Sequence, residues 1–315
     1  MQNRNVSEIS VNSNQDNLMK VVMLKKSVLE LKKVEKPIPK DNEVLIKVHA
    51  TAINSGDVNL KNLRSKFLFW LLMRIFYGLK KPEKLVLGTA LSGEIESIGK
   101  SVTRFKKGDL VFASTGMNFG ANAEYVSIPE TGTLAEKPTT MSHQEASAVP
   151  FGALTALYFL RKGNIQQGQK VLINGASGSV GSFAVQLAKY FGAEVTGVSS
   201  TKKLELVKSL GADNVIDYKR EDFTDREEKY DVIFDVAGKS SKSHSKKVLA
   251  PKGIFLSSKK GLAEESAENL NFLKELIEAS KLRSVIDKNF PLEEILEAYS
   301  YAETGQKVGN LVITL

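Results

Sequence analysis

Residues 170–192 read KVLINGASGSVGSFAVQLAKYFG, and this stretch decides the fold. Lys170–Ile173 is a short apolar run of the kind that forms a buried strand. Val180–Phe191 has helical spacing of apolar residues and stops at Gly192, a suitable C′ glycine. Between them lies Asn174–Gly181 (NGASGSVG), with glycines at 175, 178 and 181. A glycine fingerprint alone is weak, but a strand before it and a helix after it make it specific. Gly175 supplies the unusual φ/ψ of a tight turn. Gly178 lets backbone approach a pyrophosphate, and Gly181 lets the helix pack close to the sheet. The pyrophosphate then rests on free N–H groups at the helix N-terminus. The competing reading is a purely structural turn. On the first reading Gly175, Ala176, Ser177, Gly178, Ser179, Val180 and Gly181 are candidate contacts of a dinucleotide.

Downstream, strands and helices alternate. Glu194–Val198 is a strand, Lys202–Leu210 a helix ending at Gly211, and Asn214–Ile216, Asp231–Val236 and Gly253–Leu256 are further strands. This alternation predicts a parallel, doubly wound sheet. Upstream, from about residue 20 to 130, the segments are short and strand-like: Val44–Ala50, Leu91–Ile98 and Ala123–Ile128, punctuated by Gly, Pro and Asp. The tail returns to this texture, with a helix over Leu292–Ala302 and a closing strand over Val308–Leu315. The chain is thus read as α/β in two units. Residues 18–141 and 283–315 form the β-rich one, residues 142–282 the dinucleotide-binding one, and residues 1–17 a flexible extension.

An NAD site usually places an acid at the end of the second strand, to bind the ribose 2′-OH. Here that strand ends Gly197-Val198-Ser199-Ser200-Thr201-Lys202-Lys203, with no acid. A carboxylate would repel a 2′-phosphate, whereas hydroxyls donate to it and a lysine neutralises it. NADP(H) is therefore expected over NAD(H), on Ser199, Ser200 and Lys203. A solvated helix start is the alternative reading of the lysines.

Composition bounds the rest. The chain has 315 residues, 42% hydrophobic and 25% charged, which excludes disordered, collagen-like and low-complexity classes. The formal net charge is +8, from 44 Lys+Arg against 36 Asp+Glu, and favours anionic partners without choosing among them. No stripe of interleaved aromatic and basic residues supports base stacking, so nucleic acid is not an expected partner. There is no cysteine, which excludes disulfides, thiolate metal sites and cysteine nucleophiles. This is compatible with the cytoplasm. The three histidines, His49, His143 and His244, lie far apart in sequence and do not form a histidine-rich metal motif. The most apolar run, Phe67–Leu79 (FLFWLLMRIFYGL), contains Arg74 and is too short to span a bilayer. It suits a buried helix, a wall of an apolar substrate pocket, or a membrane-surface attachment.

Several stretches, in order, resemble the zinc-free medium-chain dehydrogenases/reductases of the quinone oxidoreductase (zeta-crystallin-like) type. They are Ala50–Asp57 (ATAINSGD), Leu87–Gly93 with Ile95–Gly99 and Val102–Asp109 (VTRFKKGD), Ala121–Pro129, Val149–Ala156 (VPFGALTA), Asn174–Gly181, Tyr230–Gly238 (YDVIFDVAG) and Phe290–Leu315. The resemblance implies a GroES-like catalytic domain, a Rossmann domain, and NADPH in the cleft between them. Zinc-dependent relatives place Cys at the position of Asn54 and His at that of Thr89, so the resemblance implies a metal-free route.

Such a route rests on the cofactor's chemistry: hydride transfer to a quinone or the β-carbon of an enone, with one or two donors for the developing oxyanion. The catalytic candidates are Asn54, as a donor that does not titrate, and Thr155, as a contact of the nicotinamide amide. A turn role for Asn54 and helix packing for Thr155 are the alternatives. Asp57 suits a helix N-cap or first-turn acid better than a base. Tyr218, Ala237, Gly238, Ser257 and Ser258, at strand ends, complete the cofactor candidates. A small electron-poor substrate and a homodimer are the implied partners. The alternatives are a zinc-free carbonyl reductase or alcohol dehydrogenase, and a weakly catalytic NADPH-binding module. Ala90, Asn59 and Asn310 depart from the family's usual acid, aromatic and lysine, and the segment Lys259–Ser266 is short for it.

Overall fold

The computed structural model describes residues 17–25, 28–63, 85–259, 261 and 263–315. Residues 1–16 of the extension and the apolar run Phe67–Leu79 lie outside the described residues.

The N-terminal part is built from short strands. β1 (Leu18–Lys25), β2 (Val28–Glu35) and, after β3 (Glu43–Ile53) and helix α1 (Ser55–Leu63), β4 (Leu85–Val86) form a small sheet in the order β2-β1-β4. β3 instead joins β5 (Ala90–Ile98), β6 (Leu110–Ser114), β7 (Tyr125–Pro129) and β8 (Thr133–Glu136) by antiparallel pairing. On β3, Val44, Ile46 and Val48 point into a core with Leu91, Ile95 and Val111, while Lys47 is exposed. Towards the end of β3 both faces are covered, and Ala50–Ile53 are all buried.

The chain then crosses over through α2 (His143–Ser147). Its N-cap Ser142 accepts from the Glu145 N–H while Glu145 accepts from the Ser142 N–H, a reciprocal capping box. α3 (Val149–Lys162) follows. Next come β9 (Lys170–Asn174), α4 (Ser179–Tyr190), β10 (Glu194–Ser199), α5 (Leu204–Ser209), β11 (Asn214–Asp217), β12 (Tyr230–Asp235), α6 (Lys242–Ser245) and β13 (Leu249–Ser257). The five strands form a parallel sheet in the order β11-β10-β9-β12-β13. β9 is central, and its apolar run is explained by burial on both faces. Val171 and Ile173 pack with Phe159 and Phe183 of the helices on one side, and Leu172 packs with Val198, Ile216 and Ile233 on the other.

The tail adds α7 (Ala267–Glu278), β14 (Ile286–Pro291), α8 (Ile295–Glu303) and β15 (Asn310–Thr314). β15 pairs with β3, Leu311 opposite Ile53 and Thr314 opposite Ala50. The end of the chain therefore closes the N-terminal sheet, as its texture predicts. The fold is a GroES-like β-rich unit joined to a Rossmann-like parallel sheet.

Candidate active site

The order of the parallel sheet reverses at β9, and the crevice there opens outside the carboxyl ends of β9 and β12. Asn174 Nδ2 donates to Asp235 Oδ1 at 2.9 Å across it. Asp235, fully buried, also accepts the N–H groups of Lys239 (3.3 Å) and Ser240 (3.0 Å). The strand ends are thus locked together at the floor of a cleft of about 1590 Å³.

The glycine turn forms one wall. Gly175 has φ +91°, in the left-handed region. The N–H groups of Gly175 and Ala176 both donate to Val198 O. A Cβ on Gly181 would lie 2.1 Å from Gly175 O, so helix and turn meet there only because position 181 has no side chain. Gly178 differs. Its φ is −84°, and a Cβ there would meet only Gly175 O, at 3.6 Å. The protein does not require glycine at 178, whereas a ligand seated on the turn would. That open cradle at the N-terminus of α4 is what fits a pyrophosphate.

Most sequence candidates share this cleft. Gly175, Ser177, Gly178, Ser179, Val180, Ser199, Ser200, Lys203, Tyr218, Ala237 and Ser258 line it, as do Asn54 and Thr155. Four do not. Ala176 and Gly181 are inside the turn, and Ser257 is buried at 7% exposure. Gly238 is covered by the Lys259 side chain, whose Nζ donates to Gly238 O at 2.5 Å. Ser199 Oγ donates to Ser177 Oγ at 2.7 Å, tying the end of β10 to the turn. No carboxylate ends β10; Asp217, at the end of β11, is occupied by Thr201 Oγ1 at 2.5 Å.

Lys203 and the closing segment meet here. Gly309 N–H donates to Ser177 O at 2.8 Å, which lays residues 306–309 on the turn. Lys203 Nζ donates to Gln306 O (2.8 Å) and Lys307 O (3.0 Å). Beside it Lys307 also lines the cleft, its Nζ on Gly309 O at 2.8 Å. Burial pushes the Lys307 ammonium down to about 8; Asp287 opposes this, and the neighbouring Lys203 adds to it. Lys203 is lowered by burial as well. Sequence reading missed Lys307, because only the fold carries the tail to the turn. Asn310, the departure from the family lysine, faces the turn: Ser179 Oγ donates to its Oδ1 at 2.5 Å and its Nδ2 donates to Val285 O.

The opposite wall is a polar ledge. Asn54 caps α1: its Oδ1 accepts the Asp57 N–H (3.0 Å) and Asp57 Oδ2 accepts the Asn54 N–H (3.2 Å). This fixes the amide orientation and aims Nδ2 at Thr89 Oγ1, 2.8 Å away. Asn54 therefore holds the turn and also engages the cleft. Because the Thr89 oxygen already accepts a bond, its own O–H is left as a donor for the cleft it lines. Asp57 is fully buried, off the cleft wall, with a second bond from the Gly88 N–H at 3.2 Å. Burial pushes its carboxyl up to about 7 against those two N–H groups. It is a positioning acid, as its first-turn place predicts.

The segment 259–266 supplies an unforeseen carboxyl. Glu265 lines the cleft, and Ser114 Oγ donates to its Oε2 at 2.5 Å. Burial raises its titration and the Ser114 bond opposes this. His49 and His143, distant in sequence, stand 4.6 Å apart between ring centroids, away from this wall. Among the described residues no three His, Asp or Glu side chains gather as a metal site.

Comparison with known proteins agrees with this architecture. The alcohol dehydrogenase GroES-like domain matches residues 40–139, and zinc-binding dehydrogenase models match residues 179–280 and 258–313. A 2-methylene-furan-3-one reductase of Solanum lycopersicum is 34% identical over 294 residues, covering 88% of this chain and 73% of that protein. A chloroplastic NADPH-dependent alkenal/one oxidoreductase of Arabidopsis thaliana is 34% identical with the same coverage. A chloroplastic quinone oxidoreductase of Triphysaria versicolor is 34% identical, covering 90% and 93%. The solved quinone oxidoreductase from Coxiella burnetii superposes with TM-score 0.83 at 28% identity, over 95% of this chain and 99% of that one. A cleft floored by β9 and β12, a glycine turn on one wall and a cysteine-free ledge on the other accompany these likenesses. The chain belongs to the medium-chain dehydrogenase/reductase family, among its quinone oxidoreductase-like members.

Proposed function

We propose that this protein is an NADPH-dependent oxidoreductase that reduces a quinone or the activated double bond of an enone without zinc. The observation that carries the reading is the shared cleft, in which the Asn54–Thr89 ledge faces the glycine turn. Relatives named for enone, alkenal and quinone reduction support the substrate class. NADPH, when bound, supplies a hydride; the chain's own residues do the rest. The turn and the α4 N-terminus hold the pyrophosphate. Ser199, Ser200, Lys203 and Lys307 hold the 2′-phosphate, which relieves the crowding of two cations. Tyr218, exposed at 59%, flanks the adenosine end. Thr155 borders the nicotinamide amide. Thr89, oriented by Asn54, donates to the oxygen on which charge develops. In place of zinc-ligating Cys and His, positions 54 and 89 carry an amide and a hydroxyl that already bond each other.

The same reading keeps residues 18–141 and 283–315 as the catalytic unit and 142–282 as the cofactor unit. It keeps a homodimer through the outermost strand β13, a nine-residue edge with Ile254 39% exposed, and a cytoplasmic location. No helix among the described residues is long and apolar enough to cross a membrane.

The test follows NADPH consumption with a quinone, an enone and a saturated aldehyde, each repeated with NADH and with a chelator. Turnover of quinone or enone with NADPH, indifferent to chelator, is expected. Turnover of the aldehyde alone replaces the reading with a carbonyl reductase. NADPH binding without any turnover replaces it with a binding module.

A further inference from the structure

Reduction of an enone needs a proton as well as a hydride, and the ledge described so far, an amide and a hydroxyl, has no group that gives one up. Glu265 changes that. It comes from the irregular segment between β13 and α7, which belongs to the parallel-sheet side, yet it reaches a strand of the other sheet. Its partner Ser114 ends β6 and lies directly opposite Ala90 of β5. Ala90 adjoins Thr89, and the next residue, Thr115, donates its N–H to Thr89 O at 2.8 Å. Ser114 therefore sits one cross-strand step, ~5 Å of sheet, from the strand that adjoins the hydroxyl ledge, and it holds the carboxyl beside it. Position 90 itself holds a methyl group, so the acid arrives from a different segment of the chain.

The hydrogen bonding gives the carboxyl a direction. Gly116 N–H donates to Ser114 Oγ at 3.1 Å, and Ser114 O–H donates to Glu265 Oε2. Among the described residues Ser114 is the hydrogen-bond partner of Glu265, and it engages one oxygen only. Oε1 is left for the cleft that Glu265 lines. Ser114 is 4% exposed, so the bond is shielded and fixes the side chain. Burial favours the neutral acid and the Ser114 hydroxyl favours the carboxylate; no charged side chain among the described residues contributes.

Resting on the function proposed above, we propose that Glu265 is the catalytic acid that protonates the carbon next to the carbonyl of the reduced enone. The hydride pair forms the new C–H bond at the β-carbon, and the double-bond pair moves toward the oxygen, where Thr89 donates. That pair then takes a proton at the α-carbon as the Oε1–H bond of Glu265 breaks. The carboxylate left behind regains its proton from water in the cleft. Overall, enone, NADPH and one proton give the saturated ketone and NADP⁺.

The test uses the full chain and 2-methylcyclohex-2-enone, whose product carries a stereocentre at the protonated carbon. Glu265→Gln keeps the acceptor for Ser114 but has no proton to give. It is expected to lower kcat roughly 100-fold with KM for the enone within about threefold, and to lose the facial selectivity at the α-carbon. Glu265→Asp restores part of both. Because the acid form is active, kcat falls as pH rises through the Glu265 titration. Ser114→Ala removes a bond to the carboxylate and moves that fall to higher pH. In the cofactor-free protein, a carboxylic-acid infrared band beside that of Asp57, titrating with the fall in kcat, is expected in the wild type and is missing in Glu265→Gln. A Glu265→Gln enzyme with wild-type kcat and selectivity overturns the proposal while leaving the proposed function intact. A wild-type protein that turns over quinones but not enones with NADPH overturns the role of Glu265 alone, and one that turns over neither overturns the function with it. A wild-type minus Glu265→Gln infrared difference with no protonated-acid band, the buried Asp57 acid being common to both proteins, overturns the assignment of the acid without any turnover being measured.

Discussion

The two walls of the cleft are made differently. The parallel-sheet wall is mostly backbone: a glycine turn, the N-terminus of α4 and the ends of successive strands, its turn and helix start drawn from one short run, Asn174–Gly181. The wall facing it is side chains: Asn54, Thr89 and Ser114 from three segments of the antiparallel sheet, met by Glu265 from the other unit. A backbone site depends on φ/ψ and close approach, which only certain residues permit, so it writes itself into local sequence. A side-chain site depends on which strands pair, and pairing is a property of the whole sheet.

The largest effect that would sharpen this contrast separates two glycines of one turn. Gly181→Val drives a side chain into Gly175 O, which is backbone and cannot yield; a cost of more than ~3 kcal/mol is expected, read as loss of cooperative unfolding. Gly178→Ala should change stability by no more than ~1 kcal/mol yet weaken NADPH binding tenfold or more, read by cofactor fluorescence. Equal effects of the two would break the division between a glycine required by the protein and one required by its ligand.

On the other wall, Thr89→Ala is expected to lower kcat about 100-fold, the size of one lost oxyanion donor. Thr89→Ser should keep most of the rate. Asn54→Ala should lower kcat similarly and also cost ~1 kcal/mol of stability, because it removes a helix cap. Steady-state kinetics with denaturant unfolding checks both.

Asp57 gives the next effect, on stability. Its folded carboxyl titrates near 7, above its value in the unfolded chain. Between about pH 4 and 7 the folded state therefore holds a proton that the unfolded state has released, and stability falls as pH rises across that window. Up to ~2–3 kcal/mol is expected between pH 5 and 8. Asp57→Asn, which does not titrate, should flatten that fall. Unfolding midpoints at the two pH values decide it.

Smaller still, Lys203→Ala and Lys307→Ala should each raise KM for NADPH about tenfold, the size of one bond to a charged group, with NADH little changed. Tyr218→Phe should shift either constant by less than about threefold, because the ring is largely in solvent. Cofactor titrations with both nucleotides rank these three.

How far each wall was legible follows from the same physics. The β9–turn–α4 unit, the missing acid at the end of β10 and the returning closing strand are readable because each is local chemistry or periodicity. Gly238 and Ser257, expected as cofactor contacts from their place after strands, do not line the cleft, and the Lys259 side chain lies over Gly238. Long flexible side chains fold over strand ends in ways that spacing does not encode.

The sequence by itself determined the parallel sheet, the dinucleotide turn and the absence of thiolate chemistry, since these need particular residues at particular separations. Only the tertiary structure decided that Lys307 joins Lys203, that Asn54 spends its amide on Thr89, and that an acid missing near position 90 is met by Glu265 from across the cleft. Those contacts join residues between 35 and 151 positions apart, and separations of that size are closed by core packing and strand pairing, which no local stretch of chain specifies.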